Sequence, residues 1–271
     1  FFGAKAGTVI FSIYILGIVL SIMTGRIFRS TLFRGADAPF VMELPPYRVP
    51  MINLQALHPW DSTVRQSKYK GCFTEGPEYE HVWAFGANCD NVDLGAIIQA
   101  EYLCDFYGLD GISSGNVIGF LMECVEKGVL SESDMGFPLR FGNDEGMITA
   151  LHLIGKRQGP GELWGEGVRR IAESVKGAEY FAMHVKGLEL PGYDPRASTG
   201  MALAYATSDR GGCHLRSWPV GEELLATEQR MDPFSIEFKA ELVKNQQDLF
   251  CLINCTGLCL FVTFALSLKQ I

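Results

Sequence analysis

The chain has no run of like charges, no low-complexity tract and no internal repeat at solenoid spacing. Those absences exclude a charged interaction tail, a compositionally biased linker and a stacked-repeat architecture. Positive charge is in short supply: 23 Lys and Arg stand against 31 Asp and Glu, for a formal net charge of -8. General nucleic-acid binding needs a basic footprint, so that class is excluded. Charge is missing altogether from residues 7–25, a stretch rich in Ile, Val, Phe and Leu. That length and composition predict one transmembrane helix. Arg26, Arg29 and Arg34 follow it and only Lys5 precedes it. The positive-inside tendency then places the C-terminal region in the cytoplasm. The first residue is Phe1, and the chain ends at Ile271 inside an apolar pattern. Both features read as a fragment.

What is present supports a sizeable core, since 48% of residues are hydrophobic. The eight cysteines sit mostly in apolar or helical patterns, such as Cys104 and Cys124. In a chain this long they read as reduced thiols with some metal ligands, rather than a disulfide scaffold. Residues 39–50 carry four prolines and predict an extended segment. From Glu75 onward the pattern is helical. Helices are expected over 93–107 with Asp93 as cap, 113–127, from the Asn143 cap to Ile154, and 163–175. Residues 181–190 predict an extended piece. A small-residue helix over 199–208 follows, with Asp194 as its cap, and a longer helix over 233–254. The resulting division is a membrane helix over 1–30, an extended junction over 31–70 and a helical region over 71–271.

Three features point to a site. After Gly211 and Gly212 the chain delivers Cys213, His214 and Arg216, residue types suited to handling protons and anions. Two helix ends share the form polar-x-x-Gly-Leu-polar: Asp105, Gly108, Leu109, Asp110, and Asn254, Gly257, Leu258, Cys259. A glycine stop exposes backbone groups and presents the next side chain to a ligand. Cys251, Cys255 and Cys259 form a helical stripe whose spacing is not that of common zinc or cluster loops. Two of them are expected in the core, with Cys259 placed to bind. His58, His81, His152 and His184 lack a metal-spaced companion; His81 is expected at the surface or just behind the site.

Two resemblances follow from these residues. The apolar stretch, the basic link over 31–34 and the run Phe-Val-Met-Glu-Leu-Pro-Pro-Tyr-Arg at 40–48 resemble the permease part of the bacterial ferrous iron transport protein B, over about residues 1–66. Its pore and G domain have no counterpart here, so iron transport is not expected. Residues 75–80, 105–112, 113–116, 190–216 and 254–259 fall in the same order as in the aldehyde ferredoxin oxidoreductase family, which the chain resembles over about residues 70–271.

The second resemblance implies that the membrane helix and linker are followed by that family's C-terminal helical domains, so that a mainly α fold is expected. It implies oxidation of an aldehyde to a carboxylic acid at a tungsten (or molybdenum) bis-pterin centre, with electrons passing through a [4Fe-4S] cluster to ferredoxin. Glu80 and His214 then stand beside the metal as catalytic groups, with Glu80 activating water and His214 donating a proton. Asp105, Gly108, Leu109, Asp110, Asn254, Gly257, Leu258 and Arg216 bind the cofactor, and Cys259 is a cluster ligand. A homodimer, and a membrane contact through the N-terminal helix, complete the expected partners. The chain departs from the family pattern where a C-x2-C-x3-C run should precede residue 75: residues 55–62 read Gln-Ala-Leu-His-Pro-Trp-Asp-Ser, and Cys72 lies too near. Asn254 also replaces an aspartate, losing a charge. Little activity is therefore expected of this chain alone. The competing reading is a membrane-anchored, non-catalytic protein or an iron transporter fragment.

Overall fold

The computed structural model describes residues 40–43, 61–226 and 230–257. Strands β1 (Phe40–Glu43), β2 (Asp61–Val64) and β3 (Phe73–Thr74) form an antiparallel sheet in that order. Phe40 pairs with Val64 and Glu43 with Asp61. Helices α1 (Tyr79–Phe85), α2 (Leu94–Tyr107), α3 (Gly111–Glu126), α4 (Glu132–Met135), α5 (Asp144–Lys156), α6 (Gly161–Trp164) and α7 (Val168–Ser174) follow. A short hairpin, β4 (His184–Val185) and β5 (Leu188–Glu189), leads to α8 (Thr199–Thr207) and then α9 (Lys239–Thr256).

Local chemistry sets many of the ends. Asp93 accepts a hydrogen bond from Gly95 N–H at 2.8 Å and starts α2, while Gly108 at φ 67° stops it. Asn143 caps α5 in the same way, through Gly146 N–H at 2.8 Å. Helix α3 begins two residues before the expected Ser113, because Asp110 takes the Ser113 N–H at 2.7 Å.

Three elements differ from expectation. The helix expected over 163–175 is two helices. Gly167 sits at φ 89°, and Glu189, far along the chain, accepts the Val168 N–H that opens α7. Helix α8 is capped by Ser198, whose Oγ accepts from Met201 N–H at 3.0 Å. Asp194 instead folds back onto Arg196. Helix α9 starts at Lys239 rather than 233, after Phe238 at φ 59°.

The main core lies between α1, α2, α3 and α5, around Phe85, Ile97, Ile118, Leu121, Met147 and Leu151. Gly115 lets α3 press against α1, since a Cβ there would lie 2.5 Å from the Ala84 Cβ and 2.8 Å from its carbonyl. A smaller cluster of Leu190, Met201, Tyr205 and Val220 packs under α8. The buried Glu223 ties that second region together: it accepts from Ser198 Oγ and Gly200 N–H and pairs with the buried Lys239.

The expected fold class and location need correction. Among the described residues no helix is long and apolar enough to cross a membrane. The longest, α9, carries Lys239, Glu241, Lys244 and Asp248 within its first turns, and a charged face of that kind does not suit lipid. The stretch expected to span, residues 7–25, lies outside the described residues. The fold is thus a mainly helical unit with two small sheets, and neither a membrane anchor nor the cytoplasmic orientation derived from one is retained. Among the described residues the seven cysteines are unpaired, in line with reduced thiols. Cys251 and Cys255, expected in the core, are exposed on α9 instead, because the buried face of that helix runs through Val243, Phe250 and Ile253.

Candidate functional site

The site forms where the two cores meet. Helix α1 presents Glu80, and the segment after the Gly211–Gly212 break presents His214. Glu80 Oε1 stands 3.8 Å from His214 Nε2, with side-chain exposures of 12% and 17%. The glycine break is a close approach of backbone to the hairpin: a Cβ on Gly211 would lie 2.2 Å from the Val185 carbonyl oxygen.

Residues 191–193 join the two halves. Gly192 N–H donates to Glu80 Oε2 at 2.9 Å, and Tyr79 O–H donates to the Gly192 carbonyl at 2.8 Å. A side chain at Gly192 would strike Trp83, at 2.7 Å. Tyr193 stacks on Tyr79 with ring centres 5.4 Å apart, lies 5.5 Å from His214 and meets the edge of Trp218 at 6.0 Å. Behind this wall, Gln246 on α9 accepts from Ser217 Oγ and Trp218 N–H, at 2.9 and 2.7 Å. That fixes the chain immediately after His214.

Electrostatics divide the protons unequally. Burial pushes the Glu80 carboxyl up to about 8, against the Gly192 N–H, while the charges of Asp110 and Glu78 raise it further. Burial pulls His214 down to about 4, aided by Arg210 and opposed by Asp110. At neutral pH both groups are uncharged, with the proton on the carboxyl and a lone pair on the imidazole. Glu80 Oε1 is buried and has no hydrogen-bond partner.

Asp110 is therefore within electrostatic reach of both catalytic candidates, although it stands on the exposed start of α3. Asp105 is exposed at the end of α2, Gly108 makes the left-handed stop, and Leu109 N–H closes that end onto the Cys104 carbonyl at 2.8 Å. Asn254 and Gly257 form the corresponding end of α9, with Gly257 at φ 72°. Leu258, Cys259 and His58 lie outside the described residues. Arg216 turns to Asp209, at 2.8 Å. Cys213 Sγ accepts from the Arg210 guanidinium at 2.9 and 3.1 Å and from Leu215 N–H at 3.3 Å. Of the other histidines, His152 Nδ1 meets the Tyr107 hydroxyl at 2.9 Å, and His184 accepts from Gly187 N–H. Among the described residues no group of three or more His, Cys, Asp or Glu is placed to hold a metal ion.

Reading the residues alone passed over Tyr79, Tyr193 and Trp218, whose partners come from distant segments. It also passed over Glu101, while His81, expected at the surface or just behind the site, is half-buried with its Nδ1 3.6 Å from the Glu101 carboxyl. A signal for Glu101 existed: it is a carboxylate on the apolar stripe of α2, one turn after Ile97.

Comparison with known proteins bears on the whole arrangement. The family described as "Aldehyde ferredoxin oxidoreductase, domains 2 & 3" matches residues 61–271. The family described as "Ferrous iron transport protein B C terminus" matches residues 10–61. A tungsten-containing aldehyde ferredoxin oxidoreductase of Pyrococcus abyssi is 46% identical over 199 residues, covering 72% of this chain and 33% of that protein. An Fe(2+) transport protein A/Fe(2+) transporter FeoB fusion protein of Porphyromonas gingivalis is 44% identical over 71 residues, 26% of this chain and 8% of that protein. Among solved structures, the active site complex BamBC of benzoyl coenzyme A reductase aligns with a TM-score of 0.46 and 25% identity, over 55% of this chain and 23% of that one. The chain spans about a third of the length of the aldehyde ferredoxin oxidoreductases it matches (33%). With residues 10–61 similar to the iron transporter's C terminus and residues 61–271 matched by the oxidoreductase family, the chain belongs, over residues 61–271, to the aldehyde ferredoxin oxidoreductase family of oxidoreductases.

Proposed function

We propose that residues 61–271 supply the proton-handling wall of a site that oxidises an aldehyde to a carboxylic acid, with ferredoxin as electron acceptor. One observation carries this reading: a buried, partnerless carboxyl oxygen of Glu80 faces the buried imidazole of His214 at 3.8 Å. A buried polar atom left without a partner costs about 1–3 kcal/mol, and a bound group would relieve that cost.

The same orphaned oxygen, together with the exposed carboxylates of Asp105 and Asp110, fits a tungsten (or molybdenum) bis-pterin on this face. Asp105, Gly108, Leu109 and Asp110 would hold one side, with Asn254, Gly257, Leu258 and Arg216 on the other. When bound, that group takes the two electrons that leave the aldehyde carbon. The described residues do not supply the ligands of a [4Fe-4S] cluster.

Turning an aldehyde and water into an acid releases two protons: one comes from the attacking water, and the aldehyde C–H hydrogen would leave with the electron pair that the bound group would take. With its lone pair free at neutral pH, His214 Nε2 accepts the proton of the attacking water. The protonated Glu80 donates a hydrogen bond to the carbonyl oxygen, which gathers charge as water adds. These roles are the reverse of those the sequence suggested, because burial leaves the proton on the carboxyl. Tyr79, Tyr193 and Trp218 exclude water from one side and hold the imidazole ring in place.

The test is metal and pterin content. The full chain is produced with tungstate in a host that makes the pterin, and the purified protein is assayed for tungsten, molybdenum and pterin. Co-purification of metal and pterin, lost in Asp110→Ala, is the expected result. A chain free of both would overturn the reading.

A further inference from the structure

We infer that His81 and Glu101 form a one-proton relay, in which Glu101 sets the tautomer of His81 and so decides whether His81 presents a donor or an acceptor to the Asp110 corner. The inference stands on its own geometry and does not rest on the proposed reaction.

His81 Nδ1 lies 3.6 Å from Glu101 Oε1, and the two side chains are 17% and 6% exposed. His81 Nδ1 and Glu101 Oε2 are both buried without a hydrogen-bond partner. The pair is held between two glycines. A Cβ on Gly76 would lie 2.1 Å from Glu101 Oε1, and a Cβ on Gly111 would lie 2.2 Å from His81 Nε2. His81 is thus clamped with Nδ1 toward the carboxyl and Nε2 against the first residue of α3, next to Asp110. The stack of His81 on Phe85, with ring centres 6.3 Å apart, keeps the ring in that plane. At 3.6 Å the pair is a small side-chain adjustment from hydrogen-bond distance.

Two arrangements follow. With Glu101 protonated, its O–H donates to Nδ1, and the imidazole carries its own hydrogen on Nε2. With Glu101 ionised, Nδ1 carries the hydrogen and donates to the carboxylate, and Nε2 is a bare lone pair. Passing from the first to the second releases one proton. The carboxyl proton moves from Oε1 to Nδ1 as the Nε2 proton leaves on the Asp110 side, and no other bond changes.

Every charged group acting on the pair is acidic. Glu78 precedes α1, Asp105 stands at the end of α2, Asp110 stands at the start of α3, and Cys72 and Cys104 also couple to Glu101. Burial dominates for both members. It pulls His81 down, so the imidazole stays neutral, and pushes Glu101 up to about 8, into the range where a tautomer change is readable.

The experiment uses the full chain with nitrogen-15 histidine, followed by NMR from pH 5.5 to 9.5, with His81→Gln to assign the signal. The expected result is that His81 changes from the Nε2–H to the Nδ1–H tautomer in one step while remaining neutral. In Glu101→Gln the step is lost and one tautomer persists, whereas Glu101→Asp restores a step at a shifted midpoint. The wild-type titration stands by itself should a variant not fold. A single tautomer across the range in wild type, or the same step in Glu101→Gln, would overturn the relay. Neither result depends on cofactor content, so failure here is distinguishable from failure of the proposed activity.

Discussion

Raising the pH from 6.5 to 8 should destabilise this protein, and replacing Glu80 with glutamine should remove a defined share of that loss. Glu80 has its folded pKa raised to about 8 from an ordinary 4.5, chiefly by burial. A raised carboxyl binds more protons in the folded state than in the unfolded one. Its contribution is therefore fully present below the unfolded value and is lost as pH climbs through the folded value. Between pH 6.5 and 8 the loss integrates to about 1.5 kcal/mol for one such group. Glu101, also raised to about 8, adds a similar amount. His214, lowered to about 4, runs the other way, gaining about 0.4 kcal/mol over the same interval as the unfolded chain sheds its proton. The net fall is then roughly 2 to 3 kcal/mol before His81 is counted, and His81 acts in the same direction as His214.

The assay is urea unfolding of the full chain, followed by fluorescence of Trp83, Trp164 and Trp218, at several pH values. Glutamine at position 80 can still accept from Gly192 N–H but does not titrate. From pH 6.5 to 8 wild type should lose about 1.5 kcal/mol of stability relative to Glu80→Gln, whose side chain does not titrate. With a urea slope of about 2 kcal/mol per M, the wild-type midpoint falls by about 0.7 M relative to that of Glu80→Gln. Above pH 8 the buried thiols Cys89, Cys104 and Cys124, pushed up to about 12, add their own loss in both proteins, so the difference between the proteins is the quantity to read. If the midpoints of the two stay parallel from pH 6.5 to 8, Glu80 is not a buried, proton-bearing group, and the assigned acid and base roles fail with it.

Three further outcomes are expected. Gly115→Ala should cost about 1–3 kcal/mol in thermal or urea unfolding, since its methyl enters the contact of α3 with Ala84; an unchanged midpoint would mean that the helices separate freely. Asp110→Asn keeps an acceptor for Ser113 N–H and so keeps the start of α3, but it removes the charge that raises both Glu80 and His214. Histidine NMR and the pH dependence of unfolding should show both midpoints falling together, and a rise in either contradicts the arrangement. Gln246→Leu should cost about 1–3 kcal/mol by leaving Ser217 Oγ and Trp218 N–H without their partner. It should also alter tryptophan emission, and unchanged emission would place Trp218 outside the grip of α9.

What the sequence disclosed and what it hid follow a physical line. Signals complete within one turn of chain were readable: Asp93 and Asn143 open their helices, and Gly108 and Gly257 close theirs, through bonds spanning two to five residues. Signals that need a distant partner were not. The break at Gly167 depends on Glu189 capping α7 from 21 residues away. The start of α8 depends on Ser198 and Glu223, 25 residues apart, so the nearer Asp194 was the wrong candidate. Burial of Glu101 depends on His81 from another helix, and exposure of Cys251 and Cys255 depends on which face of α9 packs against α8.

The site itself obeys the same rule. Its residue types stood in the sequence at 80 and 214, yet neither position signals a partnership by spacing. The bond from Gly192 to Glu80 crosses 112 residues, and the facing of His214 on Glu80 crosses more. The bridge at residues 191–193 is closed by a glycine that admits Trp83 and a tyrosine that stacks on Tyr79. The unusual protonation arises there as well. Joining α1 to that bridge removes water from Glu80 while supplying a single N–H, to Oε2 alone. One hydrogen bond does not repay the desolvation of a carboxylate, so the group keeps its proton, and Oε1 is left facing the imidazole with no partner among the described residues.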